Sequence, residues 1–326
     1  MSYSIISKHR SKIMAIAMIW IAFFHSTFWF NNRVLSFIQT NGFGGVDIFI
    51  FLFGFGMYYS LSKNDIDYIT FYKKRLSRIL PYVIPVLVIY CIYESYDLYK
   101  SILYISLLDF WINGNTILWY FPALIGLILI SPFYYSLYKT NRKLAIIISL
   151  LVSFLSFIYF KNTTQMVFGS RIPVFFLGFV YGELSSNKKS IKLIDIVIHL
   201  LCLSIGLFVL YFNYHHFGSL MWSHRLYWYP FILIAPGMSF ILSLFFDVFS
   251  SNLLIKNLSI VLNKLGQITM EFYLFHELLI KMLDSTIRVP HDINRIFRNI
   301  IIFAITLLIA FVYHYTIKYI KNTFNI

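Results

Sequence analysis

The chain has 326 residues, of which 59% are hydrophobic, 20% aromatic and only 12% charged, about half the charged fraction of an ordinary globular domain. Because apolar runs of bilayer-spanning length recur from one end to the other, this composition excludes a soluble protein and predicts an all-α polytopic membrane protein with no soluble domain. The net charge of +14 is scattered over short loops rather than gathered in an arm. It therefore argues against nucleic acid as a partner and in favour of membrane topology and lipids.

The first apolar run is too long for a signal peptide and lacks a small-residue cleavage site, so residues 12–30 are predicted to stay as the first helix. Further helices are predicted near 44–61, 79–96, 117–138, 143–160, 167–184, 193–213, 228–248, 267–283 and 296–318. That makes about ten transmembrane helices in one membrane domain, residues 1–326 with a core at about 12–320. Alternate loops collect the basic residues: Lys8, Arg10 and Lys12; Lys63, Lys73, Lys74, Arg75 and Arg78; Lys139, Arg142 and Lys143; Lys188, Lys189 and Lys192; Lys256 and Lys264; Lys318 and Lys321. Short cytoplasmic loops retain Lys and Arg, so both termini are predicted to lie in the cytoplasm. Two outer segments, around 94–116 and 284–295, are long enough for short helices or lids. Cys91 and Cys202 both sit inside apolar runs without CxxC spacing, which indicates neither a disulfide framework nor a zinc site. The sequence has no internal repeat, which weighs against a transporter built from duplicated halves.

An ionisable side chain inside a membrane helix normally faces a protein interior or a water-filled cavity. His25 lies thirteen residues beyond Lys12, roughly 20 Å along the first helix and so in the outer half of the membrane. Asp47, after Gly44 and Gly45, starts the second helix at a similar depth and is a candidate both for a helix N-cap and for a partner of His25. Arg171 and Glu94 fall at about the same level, and His276, in EFYLFHELL, is a little deeper. Arg171 is also placed to snorkel to the interface, and either histidine to bond a neighbouring helix. His215 and His216 belong to an outer loop and are predicted to be exposed. On the cytoplasmic side Arg75 and Arg78 stand three apart on one helix face, a spacing that suits phosphate oxygens and equally a topological anchor.

The motifs FFHS at 23–26, GGVDIFIFLFGF at 44–55, FYKKRLSRILP at 71–81, LWYFPALIGLILISP at 118–132, RIPVFFLGFVYG at 171–182 and FYLFHELL at 272–279, in this order, resemble the acyltransferase 3 family of integral-membrane O-acyltransferases, which acylate sugars of cell-surface polysaccharides. The resemblance implies acetyl-CoA or another acyl-CoA as donor on the cytoplasmic side, no metal, and a polysaccharide or lipid-linked glycan as acceptor on the other side of a bacterial cytoplasmic membrane. It assigns the family's first-helix histidine to His25 and its Arg-x-x-Arg motif to Arg75 and Arg78. Two positions depart from the pattern: Met14 stands where family members often carry an arginine, with Lys12 or Arg10 as its substitutes, and Phe53-Gly54-Phe55 replaces Ser-Gly-Phe. On this reading His25 is the base that activates the acceptor hydroxyl. Asp47 or Glu94 orients its ring, Arg171 stabilises charge on the thioester oxygen, and Arg75, Arg78 and Lys12 hold the donor. The competing class is an exporter of lipid-linked sugar in which the same charges line a pathway.

Overall fold

The computed structural model describes residues 1–26, 32–62, 67–115, 117–160, 163–217, 226–286 and 293–324. Ten long helices run through them: α1 (Ile5–His25), α2 (Gly45–Leu61), α3 (Tyr68–Tyr93), α4 (Tyr120–Thr140), α5 (Arg142–Phe160), α6 (Ile172–Ser186), α7 (Leu193–His216), α8 (Phe231–Val248), α9 (Thr269–Thr286) and α10 (Ile293–Phe324). No β-strand forms among the described residues, and the all-α polytopic class predicted from hydropathy holds. The ends differ most at α1 and α3, which begin well before their apolar runs. Hydropathy registers only the apolar part of a helix, whereas α3 starts where Asp67 caps it by accepting the Thr70 N–H at 3.0 Å.

Eight of these helices, with α2, α6 and α8 counted together with the short helical turns before them, are long and apolar enough to cross a bilayer. Among the described residues α1 and α9 do not reach that mark, and both carry more charge. Lys8, Arg10 and Lys12 open α1, while α9 carries Glu271, Glu277, Lys281 and Asp284. By contrast α5, α7 and α10 turn apolar side chains such as Phe154, Phe208 and Leu308 outward, as lipid-facing helices do.

The outer segment around 94–116 holds two short helices, Leu98–Ile105 and Asp109–Asn113. The second ends at Gly114, whose φ of 71° lies in the left-handed region that favours glycine. Asp109 then accepts hydrogen bonds from the Asn113 and Asn115 amides at 2.6 and 2.8 Å, and Thr164 donates to the Gly114 carbonyl at 2.7 Å. The segment is thereby pinned to the stretch just before the short helix Met166–Gly169. Residues 287–292 of the other segment, 284–295, and Lys63 lie outside the described residues.

At the centre of the bundle α2 and α6 touch backbone to backbone. A Cβ added at Gly54 would stand 2.0 Å from the Phe175 carbonyl oxygen, and one at Gly178 would stand 2.3 Å from that of Phe51. Close approach of this kind is how membrane helices gain packing where burial of apolar surface offers little drive. Gly54 thus has a structural role that needs no neighbouring hydroxyl, and Phe53 fills the site of the usual serine by packing 5.9 Å from the Phe175 ring. Overpacking at such a contact costs about 3 kcal/mol or more. Gly54→Val is therefore predicted to lose most of its monodisperse protein in detergent, measured by fluorescence-detected size exclusion of a tagged chain, while Phe53→Ser elutes like the wild type.

Candidate active site

Helix α1 stops at His25 because Ser26 turns extended, with ψ of 144°, and its hydroxyl caps the Phe23 carbonyl at 2.6 Å. Gln39, from the short helix Arg33–Thr40, donates to the Ser26 carbonyl at 2.8 Å and holds this end in place. The imidazole of His25 meets that of His276 on α9 edge to face, with ring centroids 5.8 Å apart. Together they line two cavities. One of about 210 Å³ opens among α1, α9 and α10, with Ser26 and Asn299 as its other polar residues in a wall that is mostly aliphatic and phenyl, including Ala22, Ile280 and Phe303. A smaller one, of about 10 Å³, lies deeper and adds Glu277 and Tyr273. His276 is stacked on Phe272 and only 5% exposed, and Glu277 faces the inner cavity beside it with its Oε2 buried and without a hydrogen-bond partner.

Asp47 does not reach His25. Its carboxylate faces Arg171, with Oδ2 accepting from Nη2 at 3.3 Å and Oδ1 lying 3.3 Å from Nε in a contact too bent for a hydrogen bond. Arg171 also donates from Nη1 to the Val167 carbonyl at 3.0 Å, and its guanidinium lies over Trp119 and Trp228, 4.9 and 5.1 Å from the ring centres. Both charges are almost fully buried, at 0% and 2% exposure. The pair expected to serve His25 and the thioester oxygen is instead a closed unit joining the N-terminal ends of α2 and α6, because each charge neutralises the other. Glu94 is likewise engaged: it caps the end of α3 and meets Lys281 of α9 at 3.1 Å.

The N-terminal ends of α1 and α3 and the C-terminal end of α2 enclose a cavity of about 470 Å³. Arg75 and Arg78 line it, and Arg10 and Lys74 join them. Among the described residues lining it there is no carboxylate. Arg75 donates to the Gly56 carbonyl at 3.2 Å, leaving its Nε, like that of Arg10, buried without a partner. Gly56 makes room for this cluster, since a Cβ there would lie 3.1 Å from Arg10 Nη1. Lys12 is elsewhere. Two residues advance a helix by about 200°, which turns Lys12 to the opposite face, where Nζ lies 2.8 Å from His9 Nδ1 and over the Phe246 ring of α8. Arg10 therefore stands where Lys12 was expected, one turn before Met14 on the same face. The exposed His215 and His216 end α7, apart from both cavities.

Removing one partner of a buried pair leaves the other charge without compensation, at a cost of about 3–5 kcal/mol. Asp47→Asn and Arg171→Met are each predicted to lower the melting temperature of the purified protein sharply, and Asp47→Leu/Arg171→Met to recover part of that loss. A double variant no more stable than the single ones would contradict the closed-pair geometry.

The comparisons bear on the whole bundle. The model of an acyltransferase domain family, acyltransferase 3, matches residues 15–315, a range that includes α2 to α9 entirely and both imidazoles. No curated protein and no solved structure matches the chain. With the family model spanning most of the ten-helix bundle, the chain belongs to the acyltransferase 3 family and is a membrane acyltransferase.

Proposed function

We propose that the protein takes an acetyl or other acyl group from acyl-CoA on the cytoplasmic side and transfers it to a hydroxyl of a cell-surface polysaccharide or lipid-linked glycan on the other. The observation that supports this most is the face of α1 itself. Arg10, Met14, Met18, Ile21 and His25 follow at intervals of three or four residues, so they form one stripe. The stripe leads from the cation-lined cavity to the imidazole cavity, roughly 22 Å away along the helix.

In this reading Arg10, Lys74, Arg75 and Arg78 hold the phosphates of the donor, and its flexible arm runs along the methionines, whose unbranched side chains adapt to what they pack against. His25 takes the proton of the acceptor hydroxyl as its oxygen bonds to the thioester carbon. Collapse of the tetrahedral intermediate breaks the C–S bond, and the imidazolium returns the proton to the departing sulfur, so that coenzyme A leaves as a thiol. The enzyme ends as it began. The setting is the cytoplasmic membrane of a bacterium, with both termini in the cytoplasm as the basic loops require.

Mass spectrometry of surface glycans from cells with and without the gene tests the reading: acetyl groups disappear on deletion and return with the wild-type gene. His25→Ala restores less than about one hundredth of the wild-type rate, the lower bound of a general base. Glycans of unchanged mass but altered export would point to transport instead. For the donor cavity, Arg75→Lys/Arg78→Lys in membrane vesicles raises the apparent KM for acetyl-CoA and leaves that for acceptor unchanged, because an ammonium does not reproduce the paired hydrogen bonds of a guanidinium. Identical acetyl-CoA dependence in the two proteins would reduce these arginines to topological anchors.

A further inference from the structure

Three histidines are buried in the described part of the fold, and they are not alike. His9 has its two ring nitrogens at 2.8 Å from Lys12 and 3.2 Å from Asp247. His199 has its own at 2.5 Å from the Asp195 carbonyl and 2.7 Å from the Tyr181 hydroxyl. His276 is as buried as these, yet neither of its nitrogens has a hydrogen-bond partner. A buried polar group left unpaired is uncommon, because it loses its hydration and gains nothing in return. Here the unpaired ring lines both cavities at His25.

We propose that His276 is the oxyanion donor of the acyl-transfer site, its N–H aimed at the thioester carbonyl oxygen while His25 handles the acceptor's proton; the assignment rests on the acyl-transfer reading. Two observations favour it beyond the missing partners. Arg171, the cation otherwise suited to that oxygen, is committed to Asp47 and the Val167 carbonyl. Apart from Ser26 and Asn299, the cavity walls around the imidazoles are apolar, and in such surroundings a fixed donor stabilises developing negative charge far more than in water. Stacking on Phe272, at 5.0 Å and 20°, fixes the plane of the ring, so the donor is oriented before substrate arrives. As the acceptor oxygen bonds to the carbonyl carbon, the carbonyl π electrons move to oxygen and are met by the His276 N–H. When the C–S bond breaks they return, and His276 keeps its proton throughout. Glu277 and Tyr273, which face the same inner cavity, complete the polar surroundings of the ring.

The test pairs kinetics with a spectrum. Loss of one oxyanion donor lowers turnover roughly 10²–10³-fold. His276→Leu should show that fall in kcat with KM for acetyl-CoA unchanged, and His276→Gln, which keeps an N–H donor, should recover part of it. An independent reading uses carbon-labelled acetyl-CoA bound to His25→Ala, which does not consume it. The thioester C=O stretch moves to lower frequency on binding, and His25→Ala/His276→Gln retains more of the shift than His25→Ala/His276→Leu. If His276→Leu turns over like the wild type, or if the bound carbonyl frequency is the same with His, Gln and Leu at this position, His276 is not the donor. A His276→Gln as slow as His276→Leu, with both binding acetyl-CoA normally, also overturns it, in favour of proton transfer by the ring. Failure of the wild-type protein to bind acetyl-CoA would instead remove the acyl-transfer reading on which the assignment stands.

Discussion

The ion pair between Asp47 and Arg171 governs what the rest of the bundle can do. Each stands seven residues from the glycine at which α2 and α6 touch, Gly54 and Gly178 respectively, so the two helices are tied at one level by backbone packing and two turns further out by charge. Such a pair adds little net stability over an apolar substitute, but either charge alone would be intolerable there. Its effect is to fix the rotation of both helices. That rotation sets the wall against which His25 and α9 are packed, with Phe49 of α2 lining the inner cavity beside the imidazoles.

A second constraint is helical phase along α1. Arg10 and Lys12 have nearly the same depth and the same charge, yet they serve opposite faces. Arg10 enters the cation-lined cavity beside Gly56, whereas Lys12 joins His9, Lys8 and Asp247 at the side of α8, where Lys8 reaches Asp247 at 2.7 Å. One helix therefore carries a cavity-lining stripe and an anchoring stripe side by side. The separation keeps the carboxylate of Asp247 away from the cation-lined cavity, where it would pair with the cations.

Much of this was legible in the sequence. Ten apolar runs, the alternation of basic loops, His25 and the Arg75/Arg78 spacing all follow from depth and composition, which are one-dimensional quantities. Azimuth was not legible. Asp47 and Arg171 were correctly placed at one depth, but their meeting across 124 positions of sequence depends on helix rotations set by Gly54 and Gly178. Lys12 was assigned to the donor for the same reason: without knowing which face of α1 meets α2, its charge is indistinguishable from that of Arg10. FYLFHELL marked His276 as unusual, but the absence of partners on its ring nitrogens, which separates it from His9 and His199, exists only in three dimensions.

The low apolarity of α9 has a consequence for how the protein is made. Four charged residues within eighteen make its insertion into lipid as an isolated helix unfavourable, since each charge near a helix centre costs on the order of 2–3 kcal/mol even by insertion scales. In the finished bundle two of these groups have hosts: Glu271 meets His314 of α10 at 2.6 Å, and Lys281 meets Glu94 of α3. One of those hosts is synthesised earlier and one later. Membrane integration of α9 is thus a cooperative event that waits for both its predecessors and α10, and His276 reaches His25 only at the close of biogenesis. The nascent chain carries its cation-lined cavity, complete from α3 onward, long before its two imidazoles meet.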